Sequence, residues 1–189
     1  MDEQDRKNWL EVHLPYRLQA VDGLRWVSEL LLVGNYPASV EVFFDGRRVI
    51  SSTSFRFLTN PMLEAGVIFC RVLLEFLGVS LDNTTKDRLK QRTSGWRDAV
   101  KIEDFRLLPI TVEQVRQAPT GSPDQVEEAC AYTILTAHKA IAHLTPGPEP
   151  KSDVAKLHLC SLTVPWLVCE YVYRALELPE PRYKLGLAA

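Results

Sequence analysis

Two long apolar stretches constrain the fold of this chain more than any other feature. They span Leu63–Leu81 and Leu157–Leu176, and each contains an arginine and a glutamate. A lipid bilayer penalises such charges heavily, whereas a protein core accepts them when they are paired. Both stretches are therefore predicted to be core helices of a soluble domain. The charged N-terminal segment has no apolar signal-peptide region, so we expect a cytoplasmic protein.

The size and charge of the chain fit one ordinary globular domain. It has 189 residues and a net charge of −2, from 22 basic and 24 acidic residues. A domain of this length needs no disulfide or metal to fold, and a near-neutral charge attracts neither nucleic acid nor membranes overall. The four cysteines lie far apart without a CxxC pair, so we expect reduced, buried thiols and no metal site or cofactor.

Helices are predicted where apolar residues recur at helical spacing between capping and breaking residues. Capping boxes at Thr111–Gln114 and Ser122–Gln125 each predict a helix start. The predicted helices span 15–34, 61–78, 84–100, a short segment after Thr111, 122–144, and a last segment that begins at Ser152 or Asp153 and bends at Pro165. Residues 145–150 are predicted to be a loop, and 1–13 and 179–189 to be irregular.

One segment has the period of a strand instead. Val40, Val42 and Phe44 alternate with other residues, and Asp45-Gly46 is typical of a type I′ turn. This predicts a short β-hairpin near residues 40–51, although a helix from Pro37 that ends at Gly46 also fits. The predicted fold is mainly α: a single-domain antiparallel bundle of about five helices with this one hairpin.

Three charged residues in the 61–78 helix form the first candidate site. Glu64, Arg71 and Glu75 lie within about 20° of one line along the helix. The rest of this helix is apolar almost all round, which is typical of a buried helix, and buried charges must be paired. One interpretation is an internal ion pair between Arg71 and Glu75. The other is a pair that faces a ligand, since buried ionisable groups cluster at functional sites.

The 122–144 helix carries the second candidate group. Tyr132, Lys139 and His143 share one wall near its C-terminus. The helix dipole alone favours cations there, so a purely structural interpretation stays open. His138 lies about 140° around the helix from His143, which excludes one metal bound by both.

A basic stretch in the predicted 84–100 helix is the third feature of interest. It is interrupted by acidic residues, which is typical of a solvated helix face, and a phosphate-binding patch is the alternative. Its members are Lys86, Arg88, Lys90, Arg92 and Arg97. The chain has no GxGxxG, P-loop or GxSxG motif, which argues against nucleotide-binding α/β folds and hydrolases.

Three sequence strings together resemble a group of uncharacterised bacterial helical proteins. They are CRVLLEFL at 70–77, DAVKIEDF at 98–105 and HKAIAHLT at 138–145. That group pairs an A-R-N-L-x-x-F-(L/F) helix with a later N-K-x-x-A-H-L-(T/S) helix. The resemblance selects Arg71, Glu75, Lys139 and His143 again and adds Asp104.

The bundle also loosely resembles HEPN-type domains. Some of these domains are metal-independent ribonucleases with an Arg-x4–6-His motif. Here that spacing occurs at Arg6 and His13, outside the central bundle. The resemblance therefore implies a fold and a shared polar cluster rather than an established activity.

These observations lead to one geometric hypothesis and three functional ones. We expect the arginine-bearing and histidine-bearing helices to be neighbours, so that Arg71, Glu75, Asp104, Lys139 and His143 converge beside Tyr132. The favoured function is a non-catalytic binding or regulatory module, with a homodimer as the expected assembly. The first alternative is a HEPN-like ribonuclease or nucleotide-acting enzyme, with His143 as general acid or base and Arg71 stabilising anionic charge. The second is a structural protein whose charges form only an internal network.

Overall fold

The fold is mainly helical, as predicted. A computed structural model of the chain describes residues 1–34, 37–93, 99–138 and 153–185. The α-helices are α1 (Glu3–Asn8), α2 (Leu14–Val33), α3 (Arg56–Leu77), α4 (Val112–Arg116), α5 (Pro123–Thr136) and α6 (Val154–Val168). A π-helical turn, Trp9–His13, joins α1 to α2, and another, Cys169–Arg174, prolongs α6 beyond Pro165. A short 3₁₀ helix, Ile102–Phe105, precedes α4.

The core lies where α2, α3, α5 and α6 meet. α2 packs on α3 and α6, and α5 packs on α6 and α3. Leucines from α2, α3 and α6 are fully buried there, including Leu18, Leu24, Leu73 and Leu167. Burying each such side chain stabilises the fold by about 1.5–3 kcal/mol. α3, which carries Arg71, and α5 are therefore neighbours, as predicted for these two segments, whereas His143 lies outside the described residues.

Gly66 lets α2 and α3 approach closely. A Cβ atom at this position would lie 2.3 Å from Cβ of Leu24 and 2.9 Å from the carbonyl oxygen of Ala20. No side chain fits in that gap, so the lack of a side chain at Gly66 sets the separation of the two helices.

α3 is also, within the described residues, the one helix long and apolar enough to span a membrane. Seven of its residues are buried within the chain.

The predicted hairpin is confirmed. β1 (Val40–Phe44) pairs antiparallel with β2 (Arg47–Ser52), with an irregular register between Val42 and Phe43. Asp45 and Gly46 both have positive φ, 48° and 75°, as a type I′ turn requires. The alternative of a helix from Pro37 to Gly46 is wrong.

A second hairpin replaces most of the helix predicted over 84–100. β3 (Val79–Leu81) pairs with β4 (Leu89–Gln91), directly after Gly78 ends α3 with a φ of 112°. The Gln91 side chain donates to the carbonyl oxygens of Gly78 (2.9 Å) and Ile110 (3.0 Å). These contacts with distant segments outweigh the helical spacing of 84–93, and 94–98 lie outside the described residues.

The ends of the elements follow local caps where the caps are strong. Thr111 and Ser122 form the predicted capping boxes, and Asp153 accepts a hydrogen bond from the Lys156 amide at the start of α6. α3 instead begins at Arg56, five residues before the predicted Pro61, which lies inside the helix. The predicted end of the fifth helix at Leu144 and the loop at 145–150 lie outside the described residues.

The N-terminal segment corrects another prediction. Residues 1–13 were expected to be irregular, but α1 and the π-helical turn occupy most of them. Asp2 caps α1 by accepting a hydrogen bond of 2.7 Å from the amide of Asp5. The C-terminal segment 179–185 has no regular structure, as predicted for these residues. The amide of Leu185 donates a hydrogen bond of 2.8 Å to the carboxylate of Asp22 on α2.

Candidate functional site

An open cavity of about 650 Å³ lies beside the C-terminal third of α3. One wall is the π-helical turn and the start of α2, and the opposite wall is the β3–β4 hairpin. Trp9, Phe76 and Val100 supply apolar surface. The charged and titratable residues that line it are Arg17, Arg71, Glu75, Lys90, Arg92 and His138. We call this space the basic cavity.

Arg71 and Glu75 form an ion pair on the wall of the basic cavity. They are one helical turn apart on α3, which brings Nε of Arg71 within 2.9 Å of Oε1 of Glu75. Each side chain is 27% exposed, so the pair is neither closed off nor fully solvated. Nε2 of His138 lies 3.9 Å from the same Glu75 oxygen. The predicted internal ion pair is thus confirmed, and the pair also faces a cavity.

Arg92 is the second cation of the cavity that has a carboxylate partner. Its Nη2 donates to both carboxylate oxygens of Glu103, at 2.7 and 2.9 Å, and its Nη1 donates to the carbonyl oxygen of Glu75 at 2.8 Å. Such a two-oxygen contact fixes the guanidinium and neutralises its charge locally.

Arg17 contributes a cation with no carboxylate partner among the described residues. Its Nη1 donates to the carbonyl oxygen of His13 at 2.9 Å, while Nε is buried without a hydrogen-bond partner in the same part of the chain. The guanidinium carbon lies 4.6 Å from the ring centroid of Trp9 and 5.7 Å from that of Phe69. Burial lowers the pKa of Arg17, yet an arginine remains charged at neutral pH.

Lys90 on β4 is the second cation of the cavity that has no carboxylate partner among the described residues. It is half-buried and forms no ion pair within the described segments. The pairs Arg71–Glu75 and Arg92–Glu103 are each neutral, so among the described residues Arg17 and Lys90 give the cavity lining a surplus of two positive charges. A partly enclosed space of low dielectric strengthens the attraction of such charges for an anion.

Two of the other predicted site residues, Asp104 and Tyr132, are not brought to the basic cavity. Asp104 is exposed, and its carboxylate accepts the Lys101 amide proton (2.8 Å) to cap the 3₁₀ helix. The Tyr132 hydroxyl accepts a hydrogen bond of 2.8 Å from the Asp153 amide at the start of α6. Neither residue lines the cavity, so the expected convergence does not extend to them. Lys139 and His143 lie outside the described residues, and Glu64 is exposed.

Sequence reasoning missed Trp9, Arg17, Lys90 and Arg92 as members of one site. Trp9 begins the π-helical turn, in the segment predicted to be irregular, and Arg17 lies in the first turn of α2. The other two belong to the basic stretch, which was treated as a helix face. Successive side chains of a strand point to opposite faces, so β4 buries Leu89 and directs Lys90 to the cavity.

Arg6 and His13, the two residues with the Arg-x4–6-His spacing, form local hydrogen bonds with Asp2 and Asn8 respectively.

Three of the four cysteines are buried as predicted, and Cys169 is only half-buried. All four are free, and Cys160 on α6 lies buried within hydrogen-bonding reach of Cys70 on α3 and Cys130 on α5. Burial raises the pKa of the Cys70 thiol well above its ordinary value and that of Cys169, which is half-buried, to about 11. Within the described segments, no group of three His, Cys, Asp or Glu is arranged to hold a metal ion.

The comparisons with known proteins add no family to these findings. No protein-family model matches the chain, and neither the curated proteins nor the solved structures contain a match. The resemblance to HEPN-type domains therefore stays a prediction, and the functional conclusion depends on the geometry of the basic cavity.

Proposed function

We propose that this protein is a cytoplasmic binding module whose basic cavity holds a small anion, such as a phosphate or a phosphorylated metabolite. The observation that carries the proposal is the pair of cations, Arg17 and Lys90, that line the cavity without a carboxylate partner among the described residues. Charges that a fold removes from water are normally paired, so cations that line a concave site without a carboxylate partner favour a negatively charged ligand.

The position of Arg17 supports binding without a large entropic cost. Trp9 and Phe69 flank its guanidinium group, and the His13 carbonyl oxygen accepts one of its protons. A side chain that is already held loses little rotamer freedom when a ligand arrives. Arginine also binds phosphate and carboxylate groups through two parallel hydrogen bonds, which favours oxyanions as ligands.

The proposal is tested by isothermal titration calorimetry with inorganic phosphate, pyrophosphate and citrate at about 50 mM salt, where screening is weak. We expect at least one of these anions to bind the wild-type chain. Arg17→Met and Lys90→Met should each weaken that binding by about tenfold or more, because a hydrogen bond to a charged group contributes about 1.5–3 kcal/mol.

Lys86→Met is the matched control, since Lys86 is an exposed lysine of the same basic stretch that does not line the cavity. It should bind the anion as the wild type does. Absence of binding by the wild-type chain, or equal affinity in all three variants, would refute the proposal. RNA cleavage that His143→Ala abolishes would instead favour the ribonuclease alternative.

A further inference from the structure

The β1–β2 hairpin exposes an unusual amount of apolar surface. Phe43, Phe44 and Val49 are 54%, 68% and 52% exposed, and Ile50 is 36% exposed. The sheet has only two strands, so within the described residues both outer edges lack a partner strand. A two-stranded hairpin is marginally stable by itself, and three or more strands with an apolar face are usually needed.

The two open edges of this hairpin differ in chemistry. β2 carries arginines at 47 and 48 and serines at 51 and 52, and such polar residues protect an edge from pairing with another chain. β1 has the sequence Val-Glu-Val-Phe-Phe. Its single charged residue, Glu41, forms an ion pair across the hairpin, with its Oε1 2.8 Å from Nη1 of Arg48. The β1 edge is therefore the one left open to another strand.

We propose that β1 pairs antiparallel with β1 of a second copy of this chain, which builds a four-stranded sheet across a homodimer. With the two-fold axis at Val42, each Val42 lies opposite its own copy, each Val40 opposite Phe44 of the other chain, and each Glu41 opposite Phe43. No like charges face each other in this register, and apolar residues meet at most positions.

The same arrangement explains why the assembly stops at two chains. Joining the β1 edges uses both unprotected edges and leaves the arginine-bearing β2 strands on the outside. An isologous contact of this kind closes on itself, whereas β1 pairing with β2 of the next copy would grow without end. The inference is independent of the basic cavity, which the hairpin does not line.

Sedimentation equilibrium at roughly 1–100 µM chain tests the proposal, because this range brackets dissociation constants of about 10 µM. The wild-type chain is expected to dimerise. Phe44→Lys places a charge opposite an apolar residue and should raise the dissociation constant by about tenfold or more. Val49→Lys, at an equally exposed position of β2, should leave it unchanged. Both substituted side chains are exposed, so neither change should impair folding.

Disulfide trapping gives a second readout. Val42→Cys places two thiols on the two-fold axis, at the separation that a disulfide requires, so diamide should link two chains. The same treatment of Val49→Cys and of the wild-type chain should leave single chains. A monomeric wild type at 100 µM, a dimer that Phe44→Lys leaves intact, or no link through Val42→Cys would each overturn the proposal.

Discussion

At the scale of single residues, the buried carboxylates of Glu127 and Asp22 have arginine partners, whereas the cavity cations Arg17 and Lys90 have no carboxylate partner among the described residues. Glu127 on α5 is almost fully buried, and it accepts hydrogen bonds from the Leu89 amide (3.2 Å), Arg88 (3.1 Å) and Arg116 (2.7 Å). Asp22 is equally enclosed and accepts from Arg25 and the Leu185 amide. Charges that serve the fold are thus satisfied within the chain, which makes the lack of a carboxylate near Arg17 and Lys90 in the described segments informative.

Replacing Glu127 by glutamine should destabilise the fold. The change leaves two guanidinium groups with weaker acceptors and removes the charge that holds β4, α4 and α5 together. We expect a loss of about 2–3 kcal/mol in the free energy of unfolding, somewhat below the cost of breaking a deeply buried pair because the arginines are partly exposed. Urea unfolding followed by circular dichroism measures it.

Glu128→Gln is the control on the same helix. Glu128 is largely exposed and pairs with Lys156 at 2.7 Å, so its loss should cost less than about 1 kcal/mol. Equal effects of the two substitutions would contradict the structural role assigned to Glu127.

At the scale of elements, the crossing of α2 and α3 depends on a residue without a side chain. Gly66 faces the backbone of α2 at Ala20, which cannot move without displacing the helix. Gly23 on α2 also faces α3, but there an added Cβ would meet the flexible end of Met62 at 3.1 Å. The two glycines therefore differ in what surrounds them, although both lie inside helices.

Gly66→Ala and Gly23→Ala should consequently change stability in opposite directions. Overpacking at Gly66 is expected to lower the free energy of unfolding by about 2 kcal/mol or more. At Gly23 the higher helix propensity of alanine should outweigh a small shift of Met62 and stabilise the fold by up to about 1 kcal/mol. Thermal unfolding compares the pair directly, and a stable Gly66→Ala variant would contradict the close crossing.

Elements with strong local signals were predictable from the sequence, and those shaped by distant contacts were not. The capping boxes at Thr111 and Ser122 and the turn at Asp45-Gly46 depend on neighbouring residues only, and all three were predicted correctly. β4 was mistaken for a helix because Gln91 and Leu89 are held by Gly78, Ile110 and Glu127, whose proximity the sequence does not reveal. Tertiary contacts override local propensity at such positions.

At the scale of the whole molecule, the basic cavity is assembled from segments far apart in sequence. Helical spacing on α3 correctly placed Arg71 and Glu75 on one face. It carried no information on which elements lie opposite that face, so Arg17 and Lys90, which come from α2 and β4, were missed. The cavity exists because the π-helical turn, α3 and the second hairpin pack together. The excess of positive charge among its described lining residues is likewise a property of the folded chain.

The most direct test of this account is a nuclear magnetic resonance titration of the isotope-labelled chain with pyrophosphate, observing the Trp9 indole and Arg17 Nε protons. We predict saturable shifts of both signals, loss of the Trp9 shift in Arg17→Met, and an unchanged signal from the Trp26 indole, which packs against Phe55 outside the cavity. If Trp9 and Arg17 do not respond while signals elsewhere do, the basic cavity is not the binding site and the proposed function is wrong.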